Sequence, residues 1–250
     1  MQQKIHKIIE NSVNRSKKQQ KEYLLFGRVF IYIQDPIISD MVDFELIIEQ
    51  IEEFVPSHLF DGIDLIYVGQ FLDLIERELE ALYESGAIYI TNILNNNLDY
   101  VENIIHEAGH SLEQNSGLQI YGDKKIEREF LGKRQRLFYK IQAENYDISN
   151  LNYLDTEFQE DIDNFLYREI GYENLNYLIN GLFLNPYAAT SLSEYFSSGL
   201  EKYLLDGEDR RYLKILSPKL VEKIEDQKLP LVVCRSKSGG AHILLFVSEP

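Results

Sequence analysis

His106, Glu107 and His110 form a His-Glu-x-x-His string within a chain of 250 residues. On a helix, residues four apart lie one above the other on the same face, so both imidazoles can reach one ion. Imidazole nitrogens suit zinc, at Zn–N distances of about 2.0–2.1 Å. Glu107 follows the first imidazole, where its carboxylate can take a proton from water at the ion and later return it to a leaving amine. Ala108 and Gly109 keep the middle of the string small, so a substrate can come close. The bland alternative is a surface helix carrying two solvated histidines.

The string needs a helix to position it. Asp99 reads as the N-cap of a helix running to about Glu113, with Gly117 just beyond its end. Val101, Ile105, Ala108 and Leu112 recur at helical spacing on the face away from the histidines, which gives the helix an anchor in the core. A catalytic zinc also needs a third protein ligand and one open position. Glu127 and Glu129 follow His110 at a gap familiar from thermolysin-like enzymes, and Glu194 lies further on. The residues alone leave that choice open. Glu127 and Glu129 sit among Lys124, Lys125, Arg128, Lys133 and Arg134, which also fits a solvated helix face.

Glu194 falls within Pro186-Tyr187-Ala188-Ala189-Thr190-Ser191-Leu192-Ser193-Glu194-Tyr195-Phe196-Ser197. This segment resembles the third-ligand helix of the gluzincin-type metallopeptidases related to Mlc titration factor A and to the anthrax lethal factor catalytic domain. In that superfamily a tyrosine precedes the liganding glutamate by seven residues, as Tyr187 precedes Glu194 here. Tyr195-Phe196-Ser197 matches the aromatic-aromatic-small run, and Leu216-Ser217-Pro218-Lys219-Leu220 is similar to a later family segment. The likeness spans about 106–226. The stretch between His110 and Glu194 exceeds the family's, which a helical insertion over 124–183 would explain.

The resemblance implies a zinc held by His106, His110 and Glu194, with Glu107 as general base. Tyr187 would then stabilise the oxyanion. Peptide or protein would be the substrate. With 17 tyrosines in the chain, Tyr187 can equally be an amphipathic core residue. The family includes binding proteins as well as peptidases, so a non-catalytic module that keeps the metal site is the alternative.

The remaining elements read as α+β: strands first, helices after. Tyr23–Ile33 reads as one strand stopped by Asp35-Pro36, 42–54 as a helix, Ile63–Val68 as a strand and 72–83 as helical or irregular. Ala87–Thr91 reads as a third strand. In a zincin-like fold it is the natural edge strand beside the cleft, where an extended peptide adds by β-augmentation, although its weak alternation fits a plain core strand equally. Helices are expected at about 124–144, 157–169, 173–183, 190–205 and 216–226. The expectation is a polar N-terminal arm over 1–22, a zincin-like domain with a small mixed sheet over 23–228, and a β-like tail over 229–250.

Net charge is -16, which argues against sequence-independent nucleic-acid binding. It suits a soluble protein that attracts basic partners. One cysteine, Cys234, excludes an internal disulfide and fits a reducing compartment. With no apolar leader and no run of about 18 apolar residues, the chain reads as cytoplasmic and free of membrane spans. Ser236-Lys237-Ser238-Gly239-Gly240-Ala241-His242 reads as a Gly-rich hairpin turn. It faintly resembles a primase motif but lacks that family's acidic metal-binding residues.

Overall fold

The computed structural model describes residues 22–205 and 207–228, together with the backbone of 232–235 and 241–244. The proposed arm lies outside the described residues except for Glu22, and so does most of the tail. The chain divides into two compact units, Met1–Ser116 and Gly117–Pro250. Their elements are mixed α+β, as the sequence predicts.

The first unit holds a five-stranded sheet in the order β1-β2-β3-β5-β4. The run predicted as one strand is two. β1 (Glu22–Leu25) and β2 (Val29–Ile33) pair antiparallel around Phe26-Gly27, both at positive φ (52° and 66°). Two left-handed residues match the twist of a tight hairpin, and glycine takes the second at no steric cost. β3 (Leu65–Gly69) and β5 (Ala87–Thr91) follow parallel to β2. β4 (Ala81–Glu84) joins β5 antiparallel through Ser85-Gly86, again both at positive φ. The edge strand is therefore β4, and Ala87–Thr91 is the core strand that the sequence reading weighed beside an edge strand.

Period-two alternation assigns the two faces of this sheet. Leu25, Val29, Ile31, Ile33, Ile66, Val68, Ile88 and Ile90 are buried. They belong to the same core as Phe44, Ile47 and Ile51 of α1 (Phe44–Phe54), whose N-terminus Asp43 caps by accepting from Glu45 N–H. The short α2 (Leu72–Glu76) follows β3. The long α3 (Asn97–Tyr121) follows β5 and contributes Tyr100, Val101, Ile104, Ile105 and Ala108 to the core. It leaves helical geometry at Ser116 (φ -125°, ψ 15°), the last residue of the first unit.

The second unit is helical apart from a small hairpin. α4 (Lys125–Ala143) buries Ile126, Phe130, Leu137, Phe138 and Ile141. α5 (Glu160–Asn164) continues into a π-turn over Phe165–Ile170, ended by Gly171 at φ 77°. α6 (Tyr172–Ile179), α7 (Leu192–Leu205), α8 (Gly207–Leu216) and α9 (Pro218–Lys228) complete it. The sequence reading missed α8, which is short and polar. α7 is buried along most of its length, and Gly199 permits close packing on α9. A Cβ there would lie 2.3 Å from Leu220 Cδ2. β6 (Val232–Arg235) and β7 (Ala241–Leu244) pair antiparallel with Cys234 opposite His242. Among the described residues, no helix is long and apolar enough to cross a membrane.

Candidate metal centre

α3 carries the site, and its N-terminus is fixed by side chains. Asn96 Oδ1 accepts from Asp99 N–H (3.1 Å), and Asp99 Oδ2 accepts from Asn95 N–H (3.3 Å). Asn96 is thus the cap, and Asp99, read from sequence as the cap, lies in the first turn. Asn103 Nδ2 donates to Glu80 Oε2 at 3.2 Å, tying the next turn to the chain entering β4.

The apolar stripe of α3 faces the core, which turns His106, Glu107 and His110 to one side. Their ligand atoms lie within 4.8 Å of one another, a group that can hold a metal ion. The two imidazole rings sit 5.1 Å apart at 74° to each other. Both histidines are half-buried and Glu107 is buried. Nitrogen donors with a neighbouring carboxylate suit a borderline divalent cation better than a hard one.

Two contacts around this group escaped the sequence reading. His110 Nδ1 lies 3.2 Å from Glu113 Oε2, one turn on. A proton on Nδ1 donated to that carboxylate leaves Nε2 as the basic nitrogen, the arrangement that orients metal-bound histidines. The signal was present in the sequence as His110-x-x-Glu113, since residues three apart on a helix are neighbours.

The second contact is the Tyr83 N–H, which donates to Glu107 Oε2 at 2.6 Å. Thr91 N–H bonds Glu80 C=O, and Ala81 faces Ile90 across the ladder. Parity then directs the backbone groups of Ala81 and Tyr83 away from β5, to the open edge. Tyr83 Oη also donates to Gln114 Oε1 at 2.8 Å. One edge residue is therefore strapped along two turns of the motif helix. A backbone donor carries no residue signature, so no reading of side-chain types finds it.

The other residues singled out from sequence belong to the second unit. Glu194 lies in the first turn of α7, half-buried, with its N–H donating to Ser191 Oγ at 3.1 Å. Burial, and then the charge of Glu194, raise the pKa of Asp163 above its ordinary value. Tyr187 stands in a 3-10 turn, Tyr187–Ala189, and its carbonyl accepts from Thr190 Oγ1 at 2.8 Å. The start of α7 is clamped. The fully buried Arg134 donates to Thr190 C=O (3.0 Å) and Asp155 C=O (2.6 Å), and Leu192 N–H bonds Thr156 C=O.

Glu129, an alternative third ligand from sequence, has both oxygens engaged. Oε1 accepts from Tyr195 Oη and Leu220 N–H, and Oε2 accepts from Lys219 N–H. It caps α9, which begins with proline at its first position. Glu127 lies 3.8 Å from Lys124 in a surface pair. Cys234 and His242 fall in the hairpin described by backbone alone. No protein-family model matches the chain, and no curated protein matches it.

Proposed function

We propose that this chain is a zinc-dependent peptidase of the zincin type. The observation that carries the reading is the convergence of His106, Glu107 and His110, with the Glu107 carboxylate bonded to an edge strand. Zinc identity rests on the donor chemistry, two imidazoles completed by a carboxylate. Glu194 is the carboxylate we assign, on its likeness to the gluzincin third-ligand segment. Glu129 is a poor rival because its oxygens already serve Tyr195 and the α9 N-terminus.

Zinc bound there would acidify a water and polarise the scissile carbonyl. Glu107 takes the proton from the attacking water and passes it to the leaving amine. Its bond to Tyr83 N–H holds the carboxylate in one orientation while it does so. Tyr187 donates its hydroxyl to the developing oxyanion. The outward groups of Ala81 and the Tyr83 carbonyl receive an extended peptide laid beside β4.

The test measures zinc content and cleavage of a peptide library by the wild-type chain and by Glu107→Gln. Stoichiometric zinc in both proteins, with cleavage only in the wild type, is the expected result. Zinc in both and cleavage in neither would mark a binding protein that keeps the metal site. A wild-type chain without zinc, whose residual cleavage ignores the substitution, would overturn the proposal.

A further inference from the structure

The sheet of the first unit turns one face to the core it shares with α1 and α3. Its other face carries two rows of side chains that cross all five strands. Glu22, Tyr32, Tyr67, Tyr89 and Leu82 stand in register in one row, and Leu24, Phe30, Leu65, Ala87 and Glu84 in the other. Ring spacings show that the first row is one surface. Ring centres lie 6.3 Å apart for Tyr32 and Tyr67, 5.4 Å for Tyr67 and Tyr89, and 5.2 Å for Tyr89 and Phe71, which follows β3. Leu24, Phe30 and Tyr32 are 43%, 56% and 38% exposed, so the β1–β2 side of this surface is open. Single exposed apolar residues are ordinary, whereas aromatic side chains in contact across a sheet mark a place where a partner sits.

Two features say what kind of partner. β2, β3 and β5 run parallel, and parallel strands occur in sheets covered on both faces, usually by helices. Charge then sets the chemistry of the cover. None of the five strands contains a lysine or arginine, and Glu22 and Glu84 stand at diagonally opposite corners of the two rows. Residues 22–116 hold 19 aspartates and glutamates against two cations, Arg28 and Arg77, and Arg28 is engaged by Asp61 at 2.8 Å. A second copy of so acidic a unit would be repelled, while a cationic partner would be drawn in. Tyrosine rings also attract ammonium and guanidinium groups. The length is suitable, since five strands span about 19 Å and about 13 residues of helix cover that distance.

We propose that this face receives a basic amphipathic helix of another protein. Its apolar stripe lies on Phe30, Tyr32, Tyr67 and Tyr89, and its lysines or arginines reach Glu22 and Glu84. The surface is built on the sheet alone, so it stands whether or not the metal centre cleaves peptides.

The probe is a fluorescein-labelled 14-residue peptide of leucine and lysine with its leucines at helical spacing, titrated with the full chain at about 0.15 M salt. A peptide of the same composition with the leucines scattered round the helix is the control. The wild-type chain should bind the amphipathic peptide about tenfold or more tightly than the control. Phe30→Thr with Tyr32→Thr should erase that preference, because both residues are exposed and threonine suits a strand. Glu22→Gln with Glu84→Gln probes the same face without touching an apolar residue, and should weaken the amphipathic peptide about threefold or more. Equal affinity of the wild type for the two peptides would overturn the proposal, since acidity alone would then be binding any polycation. A preference that survives in the threonine variant, or an affinity unchanged in the glutamine variant, would overturn it by placing the peptide elsewhere. Wild-type dimers that grow with concentration and vanish in the threonine variant would overturn it by assigning the face to a second copy.

Discussion

The backbone N–H of Tyr83 donates to Glu107 Oε2 at 2.6 Å, so a residue of the edge strand orients the carboxylate assigned as general base. The geometry separates two roles of Glu107 that substitution can distinguish. Glu107→Gln keeps an acceptor for that N–H, whereas Glu107→Ala leaves a part-buried donor unpaired. Both variants should lose cleavage, by about 10²–10⁴-fold. Only the alanine variant should lose stability, by about 1–3 kcal/mol. Urea denaturation of the two proteins beside wild type checks the split.

Glu113 bonds His110 Nδ1, and through that imidazole it should act on the proposed zinc. Glu113→Ala should weaken zinc affinity by about 10–100-fold, and Glu113→Gln, which keeps an acceptor near Nδ1, should restore much of it. Competition with a chromophoric chelator measures both. Equal losses in the two variants would contradict a positioning role.

Two of the three carboxylates weighed as third ligand should behave differently. Glu194→Ala should abolish stoichiometric zinc with little loss of fold, since that side chain is half-buried at a helix start. Glu129→Ala should leave zinc in place and cost about 2–4 kcal/mol, because it uncaps α9 and takes an acceptor from the buried Tyr195 hydroxyl, leaving it Ser217 alone. Metal analysis and thermal unfolding of each variant decide between them.

Much of this site was legible in sequence because it rests on side-chain type and helical spacing. His106, Glu107 and His110 needed only the rule that residues four apart share a face. The edge strand was not legible. Ala81-Leu82-Tyr83-Glu84 is four residues long and follows a helix-like run, so periodicity could not separate it from α2. Its one local sign was Ser85-Gly86, a turn pair whose left-handed backbone folds β4 onto β5. The same failing merged β1 with β2, where Phe26 takes a left-handed conformation that aromatic residues rarely adopt. Tertiary context, rather than local propensity, decided both.

Lys133 gives a pH signature. Its ammonium is buried, donates to Ser217 Oγ at 2.5 Å and lies 4.9 Å from the Tyr195 ring centre. Burial lowers its pKa from 10.5 to about 8. Between those values the unfolded chain binds more protons than the folded one, so this group makes stability rise with pH from about 8 to 10. The contribution is roughly 3 kcal/mol across the interval. Below about pH 8 the penalty is constant. Lys133→Met should remove the rise and leave stability at pH 7 unchanged or higher. Denaturant midpoints from pH 7 to 10 measure it.

Gly62 lies against α3 beyond the metal group. A Cβ there would sit 1.9 Å from Asn115 Nδ2 and 2.6 Å from Ser111 Oγ. Gly62→Ala should therefore turn the Asn115 amide away from Ser111 C=O, which it now bonds, and destabilise by about 0.5–1.5 kcal/mol. Zinc affinity should fall less, because His106 and His110 lie nearer the helix start. Thermal unfolding with and without zinc reads both effects.

The bond between Glu107 and Tyr83 has a consequence for the protein's behaviour in concentrated solution. An uncovered strand edge invites pairing with other chains, and natural sheets blunt such edges with charge. Here a buried carboxylate occupies one of the outward donors of β4. Its removal would free that donor and take away the charge that repels a neighbouring backbone carbonyl. The group assigned to chemistry thus also guards a strand edge, and Glu107→Ala, which frees the donor, should be handled as a more aggregation-prone form than Glu107→Gln, which keeps it bonded.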